Sequence, residues 1–292
     1  MKPLIVTHGG AGSPVEFKDG TEKAARKGLL VLEKTDNALE AVVEAVAVLE
    51  DDIRFNAGTG SNLRLDGKTI EMDAAVMCSS GYAGAVGAVK FVRNPVKVSM
   101  KVLDTPHVLI VGEAATKFAR KHGFRYYNPI TDKAIKKLKD VKNKLKSGSL
   151  PLWAEKWRAF DYSKFVSIGT VGAVARSSKE FACAVSTGGT SFMIPGRVGD
   201  SAVIGAGIYA SKKGAVCATG VGEEIIKAVL AKSVYDNMER LGVQKACEFG
   251  VRQLKKFPTG LIAVTAKDYG MACNEDLACT AIGINFIKSG VR

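Results

Sequence analysis

The chain has 292 residues, 47% of them hydrophobic and 24% charged, with a formal net charge of +13. That length buries a sizeable core in one large domain or two small ones, and the 31 glycines suit a compact protein rich in turns. No apolar run reaches the ~20 residues of a membrane span, and Met1-Lys2-Pro3-Leu4-Ile5-Val6 is too short for a secretion signal, so a soluble, cytoplasmic protein is expected.

Leu4, Ile5 and Val6 read as a short buried strand ending in the turn His8-Gly9-Gly10-Ala11-Gly12. A helix starts near Thr21 and is renewed at Thr35 and Asp36, whose side chains suit an N-cap. Leu39, Val42, Val43, Val46 and Leu49 then share one apolar face. Asp51 and Asp52 close this helix, and the glycine-rich loop Phe55-Asn56-Ala57-Gly58-Thr59-Gly60 follows. Strands are expected at 69–77 and 83–92, and a helix at 113–121. Between 133 and 146 lie seven lysines, with Ile135, Leu138, Val141 and Leu145 at helical spacing: an amphipathic helix with a solvated basic face. The stretch from about 126 to 168, with Ser147-Gly148-Ser149, Trp153 and Trp157, reads as a flexible linker or surface excursion.

After Gly169 the pattern is dense again. Strands are expected at 170–175, 181–187 and 214–219, helices at 222–240 and 244–257, and strands at 261–266, 270–273 and 279–287. Strands grouped within each half argue for layered sheets covered by helices rather than strict alternation of strand and helix.

Several chemistries find no support. The six cysteines include no Cys-x-x-Cys pair, which removes zinc spacing and leaves most of them as small buried apolar residues. His8, His107 and His122 are too few and too dispersed for a histidine metal site, and no phosphate-binding Gly-x-x-x-x-Gly-Lys motif occurs. The positive charge raises a nucleic-acid-binding alternative built on the basic helix 133–146, but no base-stacking aromatic set is interleaved with its lysines.

Thr170, in Gly169-Thr170-Val171-Gly172-Ala173, begins a strand of small residues just after the lysine-rich stretch. A threonine at a newly cut N-terminus carries both a hydroxyl nucleophile and an α-amine base. Downstream, Ser186-Thr187-Gly188-Gly189 leads to Pro195-Gly196-Arg197-Val198-Gly199-Asp200-Ser201. Arg197 and Asp200 form either a surface ion pair or a clamp for an amino-acid zwitterion, guanidinium to carboxylate and carboxylate to ammonium. Thr219 and Gly220 end a strand, and Gly222 opens a helix whose backbone N–H groups suit an oxyanion.

Together, His8 to Gly12, Phe55 to Gly58, Gly169 to Ala173, Ser186 to Gly189, Pro195 to Asp200 and Thr219-Gly220 resemble the plant-type L-asparaginase/isoaspartyl peptidase family. The match covers most of 4–125 and 169–230. The resemblance implies an α+β fold, a four-layer αββα sandwich of the N-terminal-nucleophile hydrolase type. It implies a single domain over 1–292 that cuts itself into 1–169 and 170–292. Thr170 is then the nucleophile, Thr187 its support, Thr219 and Gly220 the oxyanion hole, and Arg197, Asp200, Asn56, Gly220 and Gly222 the substrate contacts. The implied substrates are L-asparagine and β-aspartyl dipeptides, and the implied assembly is a homodimer of cleaved α/β units. No cofactor is implied for the chemistry, but a structural Na+ or K+ is implied on backbone carbonyls of Leu49, Glu50, Asp52, Phe55, Ala57 and Thr59. Aspartylglucosaminidase-like hydrolases and threonine aspartases share this fold and stand as alternatives. Residues 190–193 and 258–260 depart from the family pattern, which leaves substrate preference open.

Overall fold

The computed structural model describes residues 1–146, 169–190 and 193–291. Twelve strands among these residues form two sheets. The strands are β1 (Leu4–His8), β2 (Met72–Cys78), β3 (Ala83–Val89), β4 (Leu109–Val111), β5 (Val171–Arg176), β6 (Phe181–Thr187), β7 (Ile208–Ser211), β8 (Gly214–Gly220), β9 (Thr259–Thr265), β10 (Tyr269–Cys273), β11 (Leu277–Gly283) and β12 (Phe286–Val291). The larger sheet runs β12-β11-β1-β5-β6-β2-β3-β4 and the smaller β10-β9-β8-β7. Every named pair is antiparallel except β3 with β4.

Helices α1 (Lys18–Thr35), α2 (Ala38–Asp51), α3 (Pro95–Val102), α4 (Gly112–Lys121) and α5 (Asp132–Lys146) precede β5 in the chain. Helices α6 (Gly222–Ala228), α7 (Leu230–Leu241) and α8 (Val243–Gln253) follow β8. Side-chain alternation along each strand sorts the apolar residues into separate clusters. On β5, Val171, Ala173 and Ala175 pack with Val42 and Val46 of α2, while Val174 turns to Ile262 and Val264 of the smaller sheet. Across that sheet, Val216 and Leu261 pack with Val234 of α7 and Cys247 of α8. The alanines of β5 and β6, with Gly172 of β5, keep these strands slim where the neighbouring layers pack. The result is a mixed α+β fold of two sheets with helices packed against each.

Several elements differ from the sequence expectation. The N-cap of α2 is Asn37, whose Oδ1 accepts the Glu40 N–H at 2.9 Å; Thr35 ends α1, and Asp36 turns the chain in a left-handed conformation. The helix expected at 222–240 breaks at Val229 (φ 46°), because the first N–H groups of α7 donate to Ala206 and Gly205 carbonyls instead of continuing α6. The expected strand 279–287 is a hairpin turning between Gly283 and Phe286, which face each other across it. Strands β4 and β7 are too short to leave a periodic signal. Helix α3 carries Pro95 in its first turn, a start signal the sequence reading passed over.

Helix α5 matches the lysine-rich segment, but its buried contacts are Ala134 and Leu138, and Ile135 is exposed. Its basic face is not wholly solvated either. Lys133 donates to the carbonyls of Ile53 (2.6 Å) and Arg54 (2.9 Å), and burial pushes the Lys137 ammonium down to about 8. The remainder of the expected linker, 147–168, lies outside the described residues.

Candidate active site

Strands β1, β5, β6 and β8, the loop after α2, the β6–β7 connection and the start of α6 bring the predicted site residues to one place. Antiparallel register sets His8 opposite Gly172 and Asp73 opposite Thr187. Thr170 sits one residue before β5 and is buried, as are Thr187 at the end of β6 and Thr219 near the end of β8. Gly169, Thr170, Thr187, Arg197, Asp200, Gly220 and Gly222 all line one pocket, with Gly189 and Thr190, enclosing ≈ 220 Å³ counted with the solvent at its mouth.

The Gly169 carbonyl is the best-held group in this pocket. Asn56 Nδ2 donates to it at 2.8 Å and the Thr187 hydroxyl at 2.7 Å. Thr187 Oγ1 in turn accepts the Gly189 N–H at 2.9 Å. Asn56 is fixed from both ends: its Oδ1 accepts the Asn62 N–H at 3.2 Å, and its Nδ2 also reaches the Gly189 carbonyl. Two donors aimed at one peptide oxygen polarise that carbonyl and stabilise negative charge on it.

The turn His8-Gly9-Gly10 covers the same peptide bond. Gly10 has φ +105°, and a side chain there would come within 2.8 Å of the Thr170 nitrogen, so only glycine permits this approach. His8 is fully buried beside the Thr170 main chain, neither ring nitrogen makes an aligned hydrogen bond, and burial lowers its pKa to about 3. It is therefore a neutral imidazole packed under the site.

Arg197 and Asp200 do not pair as a surface ion bridge. Asp200 is buried and opens a short 3-10 turn, and its Oδ2 has no hydrogen-bond partner. Burial pushes its carboxyl up to about 7, against the lowering effect of Arg197. Arg197 is engaged elsewhere. Its Nε donates to Glu223 Oε1 at 2.9 Å and its Nη1 to the Met193 thioether at 3.1 Å. Glu223 Oε1 also lies 2.8 Å from Nη2, but off the line of its hydrogens, so Nη2 keeps no aligned acceptor. A buried carboxylate oxygen without a hydrogen-bond partner thus stands at one pocket with a guanidinium nitrogen whose ion pair to Glu223 is poorly aligned, and an unpartnered buried carboxylate oxygen is costly for a fold to keep without a ligand.

Gly222 belongs between them: a Cβ there would meet Arg197 Nη2 at 2.7 Å and Asp200 Oδ1 at 2.8 Å. Thr219 Oγ1 accepts the Ala11 N–H at 3.0 Å, leaving its own proton to donate. Gly220 has φ +148°, and a Cβ there would strike the Pro258 carbonyl at 2.2 Å, so this position too requires glycine.

The sequence reading missed several supporting residues. Ser201 places its hydroxyl 3.3 Å from Thr170 Oγ1. Asp73 accepts the Gly199 N–H and the Ala88 N–H, both at 2.8 Å, and Glu71 accepts the Gly196 N–H at 2.7 Å, so two acids at the start of β2 tether the Arg197 loop. Fully buried Arg64 pairs with Glu71 (3.3 Å) and donates to the Gly188 carbonyl (3.0 Å) behind Thr187. A signal existed for the acids, since Glu71 and Asp73 interrupt an otherwise apolar run. For Ser201 and Arg64 there was none beyond proximity in the chain.

Among the described residues no cluster of His, Cys, Asp and Glu suits a metal ion. The loop after α2 fits a different donor set. Side chains at Gly58 and Gly60 would fall 2.5 Å from the Glu50 carbonyl and 1.8 Å from the Phe55 carbonyl, which marks a tight backbone cradle. The Glu50 side chain is buried, with no aligned partner for Oε2, and burial pushes its carboxyl up to about 8, which disfavours its charged form. Neutral carbonyl oxygens suit a monovalent cation better than a divalent one.

Comparison with known proteins gives the family. A family model described as asparaginase matches residues 1–286. The chain is 42% identical over 276 residues to a plant-type L-asparaginase of Pyrococcus horikoshii, covering 90% of each protein. It is 42% identical over 286 residues to the plant-type L-asparaginase of Thermococcus kodakarensis, covering 92% of each. An isoaspartyl peptidase/L-asparaginase of Xenopus laevis is 40% identical over 274 residues, 89% of this chain and 84% of that protein. With such agreement along nearly its whole length, the chain belongs to the asparaginase family that includes these enzymes.

Proposed function

We propose that this chain is an amidohydrolase that cuts itself before Thr170 and then hydrolyses L-asparagine and β-aspartyl dipeptides. One observation carries the reading: the Gly169 carbonyl accepts from both Asn56 and Thr187 while the Thr170 hydroxyl lies in the same pocket. The names of the relatives, L-asparaginase and isoaspartyl peptidase/L-asparaginase, support the substrates. The three apolar clusters support a single domain with the four-layer αββα arrangement of N-terminal-nucleophile hydrolases.

In the first reaction Thr170 Oγ attacks the Gly169 carbonyl carbon. The C–N bond breaks, the Thr170 nitrogen takes a proton, and an ester links Gly169 to Thr170 Oγ. Asn56 and Thr187 stabilise the oxyanion that forms on the way. Water then hydrolyses the ester, leaving a carboxylate on Gly169 and a free amine on Thr170. An α-amine has a reference pKa of about 7.7–8.0, suited to a general base at neutral pH.

In the second reaction this amine takes the Oγ proton as Oγ attacks the side-chain amide of the substrate. Arg197 holds the α-carboxylate and Asp200 the α-ammonium. The Thr219 hydroxyl and the Gly220 main chain stabilise the oxyanion. Ammonia or an amine leaves, and water releases aspartate from the β-aspartyl ester. Carbonyls of Leu49 and Glu50 in the last turn of α2, and of Asp52, Phe55, Ala57 and Thr59 after it, would hold Na+ or K+, a role confined to structure. The family resemblance also supports a homodimer of cleaved units.

The nucleic-acid alternative is disfavoured because Lys133 and Lys137 of the basic helix turn into the protein. Intact mass after incubation, followed by ammonia release from L-asparagine, tests the proposal. Fragments that begin at Thr170, with release of ammonia, are expected; a chain that stays whole and releases none refutes it.

A further inference from the structure

Arg197 has three donating nitrogens, and each has a different environment. Nη1 gives one of its two N–H groups to Met193, which is 2% exposed and cannot withdraw without repacking. Nη2 is buried without an aligned acceptor, at the pocket. Nε is occupied by Glu223, whose side chain is 57% exposed in the first turn of α6. A carboxylate binds a guanidinium most strongly through two parallel N–H groups. With one Nη1 hydrogen held by a buried thioether, the edge that already faces a carboxylate is Nε with Nη2, against which Glu223 Oε1 rests.

Resting on the hydrolase reading of this site, we propose that Glu223 is a built-in competitor for the substrate's α-carboxylate, occupying the Nε–Nη2 edge of Arg197 that would otherwise offer it two parallel N–H groups. The resting site thereby holds its guanidinium neutralised and oriented, and a substrate enters by displacing an exposed side chain into water. Substrates without an α-carboxylate cannot drive that exchange, so Glu223 also acts as a selectivity filter. Glu223 bears on Asp200 as well. The charged groups facing Asp200 are Arg197, Glu223 and Asp73, and the two acids raise its pKa while Arg197 lowers it.

The test compares processed wild type with Glu223→Gln and Glu223→Ala. Its readouts are KM for L-asparagine, product inhibition by L-aspartate and by β-alanine (aspartate without its α-carboxyl), and the pH profile of kcat/KM. An exposed ion pair is weak, so removing the competitor should lower KM and the L-aspartate inhibition constant about two- to fivefold. The β-alanine constant should stay constant, and the acid limb should move to lower pH in both variants. A KM that rises or stays level overturns the proposal, because it makes Glu223 a support that orients Arg197 or an inert neighbour. The two-fragment pattern of each variant controls for folding. Wild type that releases no ammonia would instead refute the hydrolase reading itself, which the variant comparison leaves untouched.

Discussion

Replacing Thr187 by valine removes a hydroxyl while keeping the branched shape of the side chain. In the intact chain that hydroxyl donates to the Gly169 carbonyl at 2.7 Å, leaving Asn56 Nδ2 at 2.8 Å as the second donor. Loss of one of two oxyanion donors costs about 10²–10³ in rate. The same change strands the Gly189 N–H, which Thr187 Oγ1 accepts at 2.9 Å, at a stability cost of about 1–3 kcal/mol. The two effects separate experimentally. Self-cleavage is followed by intact mass over time at a temperature where a melting curve shows the variant folded. Thr187→Ser keeps the donor and should cleave within about tenfold of wild type, since an unbranched hydroxyl loses only orientation. If folded Thr187→Val cleaves as fast as wild type, the Gly169 carbonyl is not activated by this hydroxyl, and the reasoning fails.

Thr170→Ala should remain a single uncleaved chain and release no ammonia, judged by intact mass and a coupled ammonia assay. Asp200 has a folded pKa of about 7, raised from 3.8, so it contributes stability fully present below 3.8 that is lost as pH rises through about 7. Asp200→Asn should therefore raise stability at pH 8 by on the order of 1–4 kcal/mol, gain nothing at pH 4, and abolish asparagine hydrolysis. Wild-type kcat/KM should fall as pH drops below about 7, because a protonated Asp200 cannot hold an ammonium. Lys133→Met removes the ammonium from the carbonyls of Ile53 and Arg54; being half-exposed it should cost about 1 kcal/mol in a melting measurement and slow self-cleavage through the Asn56 loop.

What could be read from residues alone follows from how each group acts. Thr187 ends β6, and Arg197 and Asp200 lie on the glycine-rich connection from β6 to β7, where chemistry-bearing side chains stand out against small neighbours. Their order along the chain was enough to assemble a site and to name a family. Groups that act through the main chain left no such trace. Lys133 looked like one solvated lysine among seven, because its partners are backbone carbonyls 79 and 80 residues away. Val229 looked helical because the stretch around it is helical on both sides, and tertiary hydrogen bonds to Gly205 and Ala206 decided the break. Of the two readings of Arg197 and Asp200, surface ion pair or substrate clamp, the ion pair is not what the fold makes. Glu223, in the next helix, takes the guanidinium, and only three-dimensional proximity could reveal that.

The strand order of the larger sheet has a consequence for what a cut before Thr170 would leave behind. Strand β1 lies between β11 and β5, and β2 is paired to β6, so strands from before and after the cut interleave in blocks across the sheet. The two pieces would not fall apart, since each supplies hydrogen-bond partners the other needs. Yet the processed molecule, once unfolded, would have to rebuild that weave by collision between separate chains. Its refolding yield would depend on concentration, whereas the intact precursor refolds within one chain. Durability would then rest on slow unfolding rather than on reversible stability, and the act that creates the catalyst would also make its loss hard to undo.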